Sequence, residues 1–119
     1  MTLSYRRHMS EHEVFLEPGS LSARLTVGHD LPVFQGHFPG RPLLPGFLVV
    51  HLVFEYALQL VGKPLRLRSI DKARFHAPIL PGDMLDVTLR YDAAVHRVSA
   101  TLLKNGAKTA VVRMTVSVL

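Results

Sequence analysis

The chain is 119 residues long and carries a formal net charge of +5, and 48% of its residues are apolar. That length suits one domain with a single core, small enough for oligomerisation to help bury surface. The absence of cysteine excludes disulfides and thiolate chemistry. The most apolar stretch, residues 47–61, is too short to span a bilayer and is interrupted by His51, Glu55 and Gln59. The N-terminus lacks a hydrophobic signal core, so we expect no transmembrane segment, no export and a cytoplasmic protein.

The N-terminal part predicts two strands. We expect a single domain over 1–119, with residues 1–12 poorly ordered or peripheral. A short strand is predicted at 14–16, followed by a turn at 18–20. Apolar and polar residues then alternate over 21–27, which is typical of a half-buried strand.

One helix follows, from residue 45 or 46 to residue 60, and it ends before Gly62 and Pro64. It is apolar nearly all round, so we expect it to be buried on most sides.

The second half of the chain predicts a run of strands with alternating apolar residues. These strands cover residues 65–75, 84–92, 97–104 and 107–118. The last two are joined by Asn105-Gly106, a strong two-residue hairpin signal. One apolar sheet face and one apolar helix predict an α+β fold in which the sheet curls around the helix.

Residues 36–46 read Gly-His-Phe-Pro-Gly-Arg-Pro-Leu-Leu-Pro-Gly. Proline fixes φ and glycine permits close backbone approach, so the segment should hold one shape. It presents the imidazole of His37 beside the N–H groups of a helix start, a plausible place for acid–base chemistry on a carbonyl compound. Phe38, Pro42 and Pro45 either shape this site or only stiffen the loop.

This segment closely resembles the G-H-F-P-x-x-P-x-x-P-G signature of bacterial 3-hydroxyacyl-acyl-carrier-protein dehydratases. A second segment, residues 72–83, resembles the K-x-R-F-x-x-P-V-x-P-G-D strand and turn of the same family. The resemblance spans roughly residues 28–119, and the order and separation of the two segments also fit. It implies the hotdog fold, an antiparallel sheet wrapped around one long central helix.

The resemblance also implies an activity: a 3-hydroxyacyl thioester on acyl carrier protein loses water to give the trans-2-enoyl thioester, without a cofactor. At the matching positions His37 is the base, and the Gly46 N–H binds the thioester carbonyl, with Phe38 and Pro45 beside the substrate. His76, near the second segment, either lines the substrate tunnel or is an ordinary histidine. The pathway would be fatty-acid, polyketide or polyene-type synthesis, including aryl polyenes.

The sequence departs from the family on the helix. The family places Asp or Glu five residues after the helix-start glycine and commonly Gln four residues further on, where this chain has His51 and Glu55. These two share a helix face, so Glu55 can favour a protonated His51 and make it the general acid. Alternatively Glu55 reaches the site itself, or elimination is lost and the chain is a thioesterase, a binder or a structural subunit. A further alternative is that the two side chains only pair with each other in a crevice. Two ligands are too few for zinc, so we expect no metal.

A cluster of cations follows the helix and runs into the second segment, opposed by Asp71 alone: Lys63, Arg66, Arg68, Lys72 and Arg74. The ordinary interpretation is a solvated strand face. Because no aromatic stacking platform accompanies the charge, nucleic acid is not an expected partner. The resemblance favours a docking surface for acyl carrier protein. It also implies a homodimer or higher oligomer with shared sites, or a heteromer with another dehydratase-like subunit.

Overall fold

The computed structural model describes residues 6–31, 34 and 43–119. A short 3-10 turn over Arg6–His8 leads into six strands and one helix. In chain order these are β1 (Met9–Glu17), β2 (Ser20–Val27), α1 (Gly46–Val61), β3 (Leu65–Phe75), β4 (Met84–Asp92), β5 (Arg97–Lys104) and β6 (Ala107–Val118). The predicted helix and the strands after it are confirmed, and β1 begins at Met9 rather than at Val14.

The six strands form one antiparallel sheet in the order β1-β2-β4-β5-β6-β3. β1 and β3 are its edges. The turn between β5 and β6 has positive φ at Asn105 (53°) and at Gly106 (78°). These angles fit a two-residue hairpin turn, as the Asn-Gly pair predicts.

The core lies between the inner face of the sheet and one face of α1. Alternate residues of β2, β4, β5 and β6 point inward, so each strand contributes a row of apolar side chains. The helix adds six buried residues: Leu48, Val49, Leu52, Val53, Tyr56 and Ala57. One helix against one antiparallel sheet is the predicted α+β arrangement.

The opposite face of α1 is open in the single chain. Phe47 is 67% exposed, and Val50, His51 and Phe54 are only half-buried. The prediction of a helix buried on most sides therefore holds only for the side that packs on the sheet, because the sheet covers the helix from one side.

The N-terminal residues from Arg6 onward contact α1 through Arg6 and Glu11. The Tyr56 hydroxyl donates to Glu11 Oε2 over 2.6 Å, and Arg6 Nη2 donates to the same oxygen over 2.9 Å. Arg6 also donates to Gln59 Oε1, and its guanidinium lies 4.2 Å from the centre of the Tyr56 ring. These contacts form a clasp between the start of β1 and the second half of the helix.

The contacts of the clasp shift the pKa values of Glu11 and Tyr56. Burial alone would raise the pKa of Glu11, but the hydrogen bonds from Tyr56 and Arg6 and the Arg6 charge outweigh it and lower that pKa. Burial and the hydrogen bond to Glu11 raise the pKa of Tyr56. The carboxylate and the neutral phenol are therefore the forms that the fold stabilises.

Replacing Tyr56 with Phe removes one hydrogen bond to a charged acceptor, and we expect the free energy of unfolding to fall by about 1 kcal/mol near pH 7. Urea denaturation measures the change. Tyr91→Phe is the matched control, because that hydroxyl lies 3.4 Å from His96 at an exposed turn. An equal loss of unfolding free energy in Tyr56→Phe and Tyr91→Phe would contradict a stabilising role for the clasp.

The clasp should also affect how the free energy of unfolding changes in acid. Since the folded-state pKa of Glu11 lies below its ordinary value of 4.5, the stabilisation is present above that pH and is lost as pH falls through the folded-state pKa. The stability difference between the unmodified chain and Glu11→Gln should therefore shrink as the pH is lowered.

Candidate active site

The predicted site residues fall into two sets. His37, Phe38 and Pro42 lie outside the described residues, so their roles stay predictions. The structure places Pro45, Gly46, His51, Glu55 and His76, all but the last on α1 or at its start.

The helix starts at a proline and a glycine. Pro45 is the N-cap residue with extended backbone (ψ 148°), and the cap has no side-chain hydrogen bond. Its carbonyl accepts from Leu48 N over 3.0 Å, whereas the N–H groups of the first residues have no partner within a helix. These N–H groups and the positive end of the helix dipole suit a polarised carbonyl or an anion.

Gly46 opens on a cavity of about 310 Å³. The other lining residues come from the end of the first motif, from α1 and from the second motif: Leu43, Leu44, Val49, Phe75, His76, Ala77, Pro78 and Ile79. Leu44 N donates to the Ile79 carbonyl over 2.7 Å. The two motifs, far apart in sequence, therefore meet at one cavity, and His76 is an exposed residue of its wall.

Phe75 explains why the helix begins with glycine. A Cβ added to Gly46 would lie 2.8 Å from Phe75 Cε2, closer than non-bonded carbon atoms approach one another. The ring therefore packs directly on the first turn of the helix, and it forms one side of the cavity.

Lys104 supports the same cavity from outside. Its Nζ donates to the Pro78 carbonyl over 3.2 Å and to Asp83 Oδ2 over 3.1 Å. Asp83 also accepts from Leu80 N over 2.7 Å. Sequence analysis missed this lysine, because nothing in the residues around it signals a contact with the distant Pro78–Asp83 turn.

His51 and Glu55 meet on α1. His51 Nε2 lies 2.6 Å from Glu55 Oε1, and the two side chains are 34% and 16% exposed. One helical turn separates them, as their spacing predicts.

His51 also lines a groove of about 370 Å³ between the open face of α1 and the inner face of β3. The rest of the groove is apolar: Phe47, Val50, Phe54, Leu67 and Ile70. Among the described residues, Gly46 and His76 line one cavity and His51 lines the other. A single chain thus presents the helix N-terminus and the His51–Glu55 pair on separate surfaces.

The described residues contain no group of three His, Cys, Asp or Glu side chains placed to hold a metal. No helix within them is long and apolar enough to cross a membrane.

An antiparallel sheet packed on one helix, with the helix starting at a glycine beside a cavity, is the architecture of a hotdog protein. A family model described as ApeI-like, ApeI dehydratase, matches residues 11–114. The chain belongs to this ApeI-like dehydratase family, and the resemblance noted from the two motifs is confirmed.

Two curated relatives are named 3-hydroxyacyl-[acyl-carrier-protein] dehydratase FabZ. The protein from Tolumonas auensis is 38% identical over 89 residues, which cover 67% of this chain and 59% of the relative. The protein from Syntrophobacter fumaroxidans is 40% identical over 67 residues, 50% of this chain and 46% of the relative. The chain thus spans about half the length of the curated relatives that it matches.

Solved structures confirm the hotdog fold. The dehydratase heterocomplex ApeI:P from Xenorhabdus doucetiae aligns with a TM-score of 0.83 at 24% identity, covering 89% of this chain and 95% of that one. An uncharacterised protein from Erwinia carotovora aligns with a TM-score of 0.78 at 28% identity, covering 93% and 97%. Thioesterase superfamily member 2 from Mus musculus aligns with a TM-score of 0.69 at 16% identity, covering 96% and 84%.

The contact between Gly46 and Phe75 predicts a measurable coupling. In a helix, replacing glycine with alanine raises the free energy of unfolding by about 0.5–1 kcal/mol. At position 46 the contact with the ring of Phe75 should cancel this increase. We expect Gly46→Ala to stabilise the chain only in the Phe75→Ala background, with a coupling energy of about 1 kcal/mol between the two sites. Urea denaturation of the four chains measures the cycle. Equal stabilisation in both backgrounds would show that the ring does not restrict the glycine.

Proposed function

We propose that this chain removes water from a 3-hydroxyacyl thioester and forms the trans-2-enoyl thioester. Family membership and the two matching motifs support this reaction class. The observation that carries the proposal is the His51–Glu55 pair, with His51 Nε2 2.6 Å from Glu55 Oε1. The pair occupies the helix position where the resemblance expects an acid, which supports His51 as the proposed proton donor.

The first half of the reaction takes a proton from Cα. His37 is the proposed base, since a neutral imidazole accepts a proton near neutral pH. The C–H electron pair moves into the thioester carbonyl, and the Gly46 N–H hydrogen-bonds the oxygen as enolate charge builds. The helix dipole acts in the same sense.

The second half expels the β-hydroxyl. The enolate electron pair returns to form the Cα–Cβ double bond, and the Cβ–O bond breaks as a proton reaches the departing oxygen. The proposed donor is His51, whose Nε2 lies 2.6 Å from Glu55 Oε1. Glu55 as the donor itself is the rival assignment within the same reaction.

The two halves of this chemistry belong to different surfaces of one chain. Since His51 lies outside the cavity that Gly46 lines, a complete site is best formed across a subunit contact. A homodimer or higher oligomer would provide it. The second candidate function is a complementing subunit in a dehydratase heteromer, and the same separation supports it, as does the heterocomplex described for the Xenorhabdus relative.

Acyl carrier protein is the proposed carrier of the substrate. It is acidic, and four cations of β3 lie on a strand whose side chains are mostly exposed: Arg66, Arg68, Lys72 and Arg74. Charge of this kind speeds encounter with an acidic partner. A polyene or aryl-polyene pathway and a cytoplasmic location stay predictions.

The activity can be tested by mass spectrometry of purified protein incubated with 3-hydroxyacyl-carrier-protein substrates. We expect loss of water, whereas release of free acid would indicate a thioesterase. His37→Ala and His37→Asn should reduce the rate by about 10²- to 10⁴-fold and leave the free energy of unfolding nearly unchanged. His96→Asn is the matched control, because His96 is exposed in the β4–β5 turn. A rate close to that of the unmodified chain in both His37 variants would remove His37 from the mechanism.

The assignment of the acid has its own test. If His51 donates the proton, its imidazolium form is required, so activity should fall as pH rises. His51→Glu should retain activity and His51→Ala should not. A fully active His51→Ala together with an inactive Glu55→Gln would make Glu55 the acid.

A further inference from the structure

The hairpin of β5 and β6 has an irregularity close to its turn. The register of β5 against β6 shifts between Leu102 and Leu103, which leaves Thr109 of β6 without a partner residue on β5. Such bulges redirect the backbone and are common beside active sites. Thr109 is 1% exposed, so the surrounding protein fixes the position of the bulge.

The bulge presents a backbone acceptor to the wall of the Gly46 cavity. The Thr109 carbonyl accepts from His76 N over 2.8 Å and from Ala77 N over 3.4 Å. Both of these donors belong to residues that line the cavity. They also begin the connection between β3 and β4, residues 76–83. The hairpin therefore holds the first residues of this connection.

Lys104, the last residue of β5, holds the remainder of the connection. Its Nζ donates to the Pro78 carbonyl over 3.2 Å and to Asp83 Oδ2 over 3.1 Å. The side chains of Lys104 and Asp83 are only 25% and 20% exposed, so salt screens this ion pair less than one on an open surface. Lys104 and Thr109 flank the Asn105-Gly106 turn. The tip of one hairpin thus contacts both ends of the connection.

The connection transmits this restraint to the start of α1. The Ile79 carbonyl accepts from Leu44 N over 2.7 Å, and the two residues are 3% and 5% exposed. Leu44 is followed directly by the N-cap residue Pro45 and by Gly46, the first residue of the helix. A shift of Pro78 or Ile79 would therefore move the N–H groups that face the cavity.

We propose that Lys104 is a positioning residue for the dehydration, which fixes the N–H groups at the start of α1 through the β3–β4 connection. Lys104 contacts no reacting atom in this role. Donors to a developing oxyanion are effective only when they are held at the place where the charge forms, and a small displacement lowers the rate. The proposal rests on the proposed function for the step whose rate is affected, whereas the restraint itself does not.

The kinetic test compares variants of Lys104. Lys104→Met keeps the unbranched apolar stem and removes the donors. We expect its kcat for water loss to fall by about 10- to 100-fold and its KM to change by less than about twofold, because a displaced donor weakens transition-state binding more than substrate binding. Lys104→Arg keeps the charge and the donors, so it should recover most of the lost kcat. Lys108→Met is the matched control, since Lys108 is exposed on the same hairpin.

Two kinetic results would overturn the proposal. A raised KM with an unchanged kcat would instead assign Lys104 to a contact with the substrate or its carrier. A loss of kcat that disappears when the rate is expressed per folded molecule, with the folded fraction taken from urea denaturation, would make Lys104 a structural residue only.

Amide hydrogen exchange measures the restraint without any activity. The Leu44 amide, which is bonded to Ile79, should exchange about tenfold faster in Lys104→Met. The Tyr91 amide donates to the distant Gly19 carbonyl over 2.9 Å, and its exchange should not change. Equal exchange of the Leu44 amide in both chains would overturn the proposal.

The two measurements separate the restraint from the reaction. Faster exchange at Leu44 in Lys104→Met, together with an unmodified chain that releases no water, would contradict the dehydration but not the restraint. Water loss by the unmodified chain with the same kcat in Lys104→Met would contradict the positioning role and leave the dehydration standing.

Discussion

The burial of helix α1 is the constraint on which the rest of this structure depends. A helix that is apolar on most of its surface must be covered from more than one side, and one antiparallel sheet covers only the face that carries Leu52 and Tyr56. The face with Phe47 and Phe54 is open in the single chain. The same helix carries the proposed oxyanion donor at its start and the His51–Glu55 pair further along. A surface that covers the open face of the helix would therefore also complete the proposed site.

The start of the helix is held by packing between segments that are distant in the chain. The Phe75 ring lies against Gly46, and the backbone bond from Leu44 to Ile79 joins the two motifs. Lys104 ties down the turn behind them. Each of these contacts limits movement of the cavity wall. Fixed donors at the helix N-terminus stabilise developing charge without reorganising first.

Charge is distributed unevenly over the two sheet edges. The β1 edge is acidic, and its Glu11 is held to the helix by Arg6 and Tyr56. The β3 edge is basic and its groove is apolar. The β1 edge is thus fastened within the chain by the clasp, whereas the β3 edge presents apolar and cationic surface.

Sequence alone determined the elements whose signals are local. Alternation in β2 and in the strands after the helix, the Asn105-Gly106 turn and the ends of α1 follow from neighbouring residues. The contact of His51 with Glu55 follows from helix geometry. β1 was predicted too short, because an edge strand with polar residues on both faces is held by backbone pairing with β2 rather than by its own pattern.

Only the tertiary structure decided which of these residues share a surface. Glu11 meets Tyr56 across 45 positions of sequence, and Lys104 meets Asp83 across 21. The order of strands in the sheet makes β3 an edge. The cavity at Gly46 and the groove at His51 are lined by different residues of α1 and β3. Strand order and long-range packing arise from contacts between distant segments, and no local pattern encodes them.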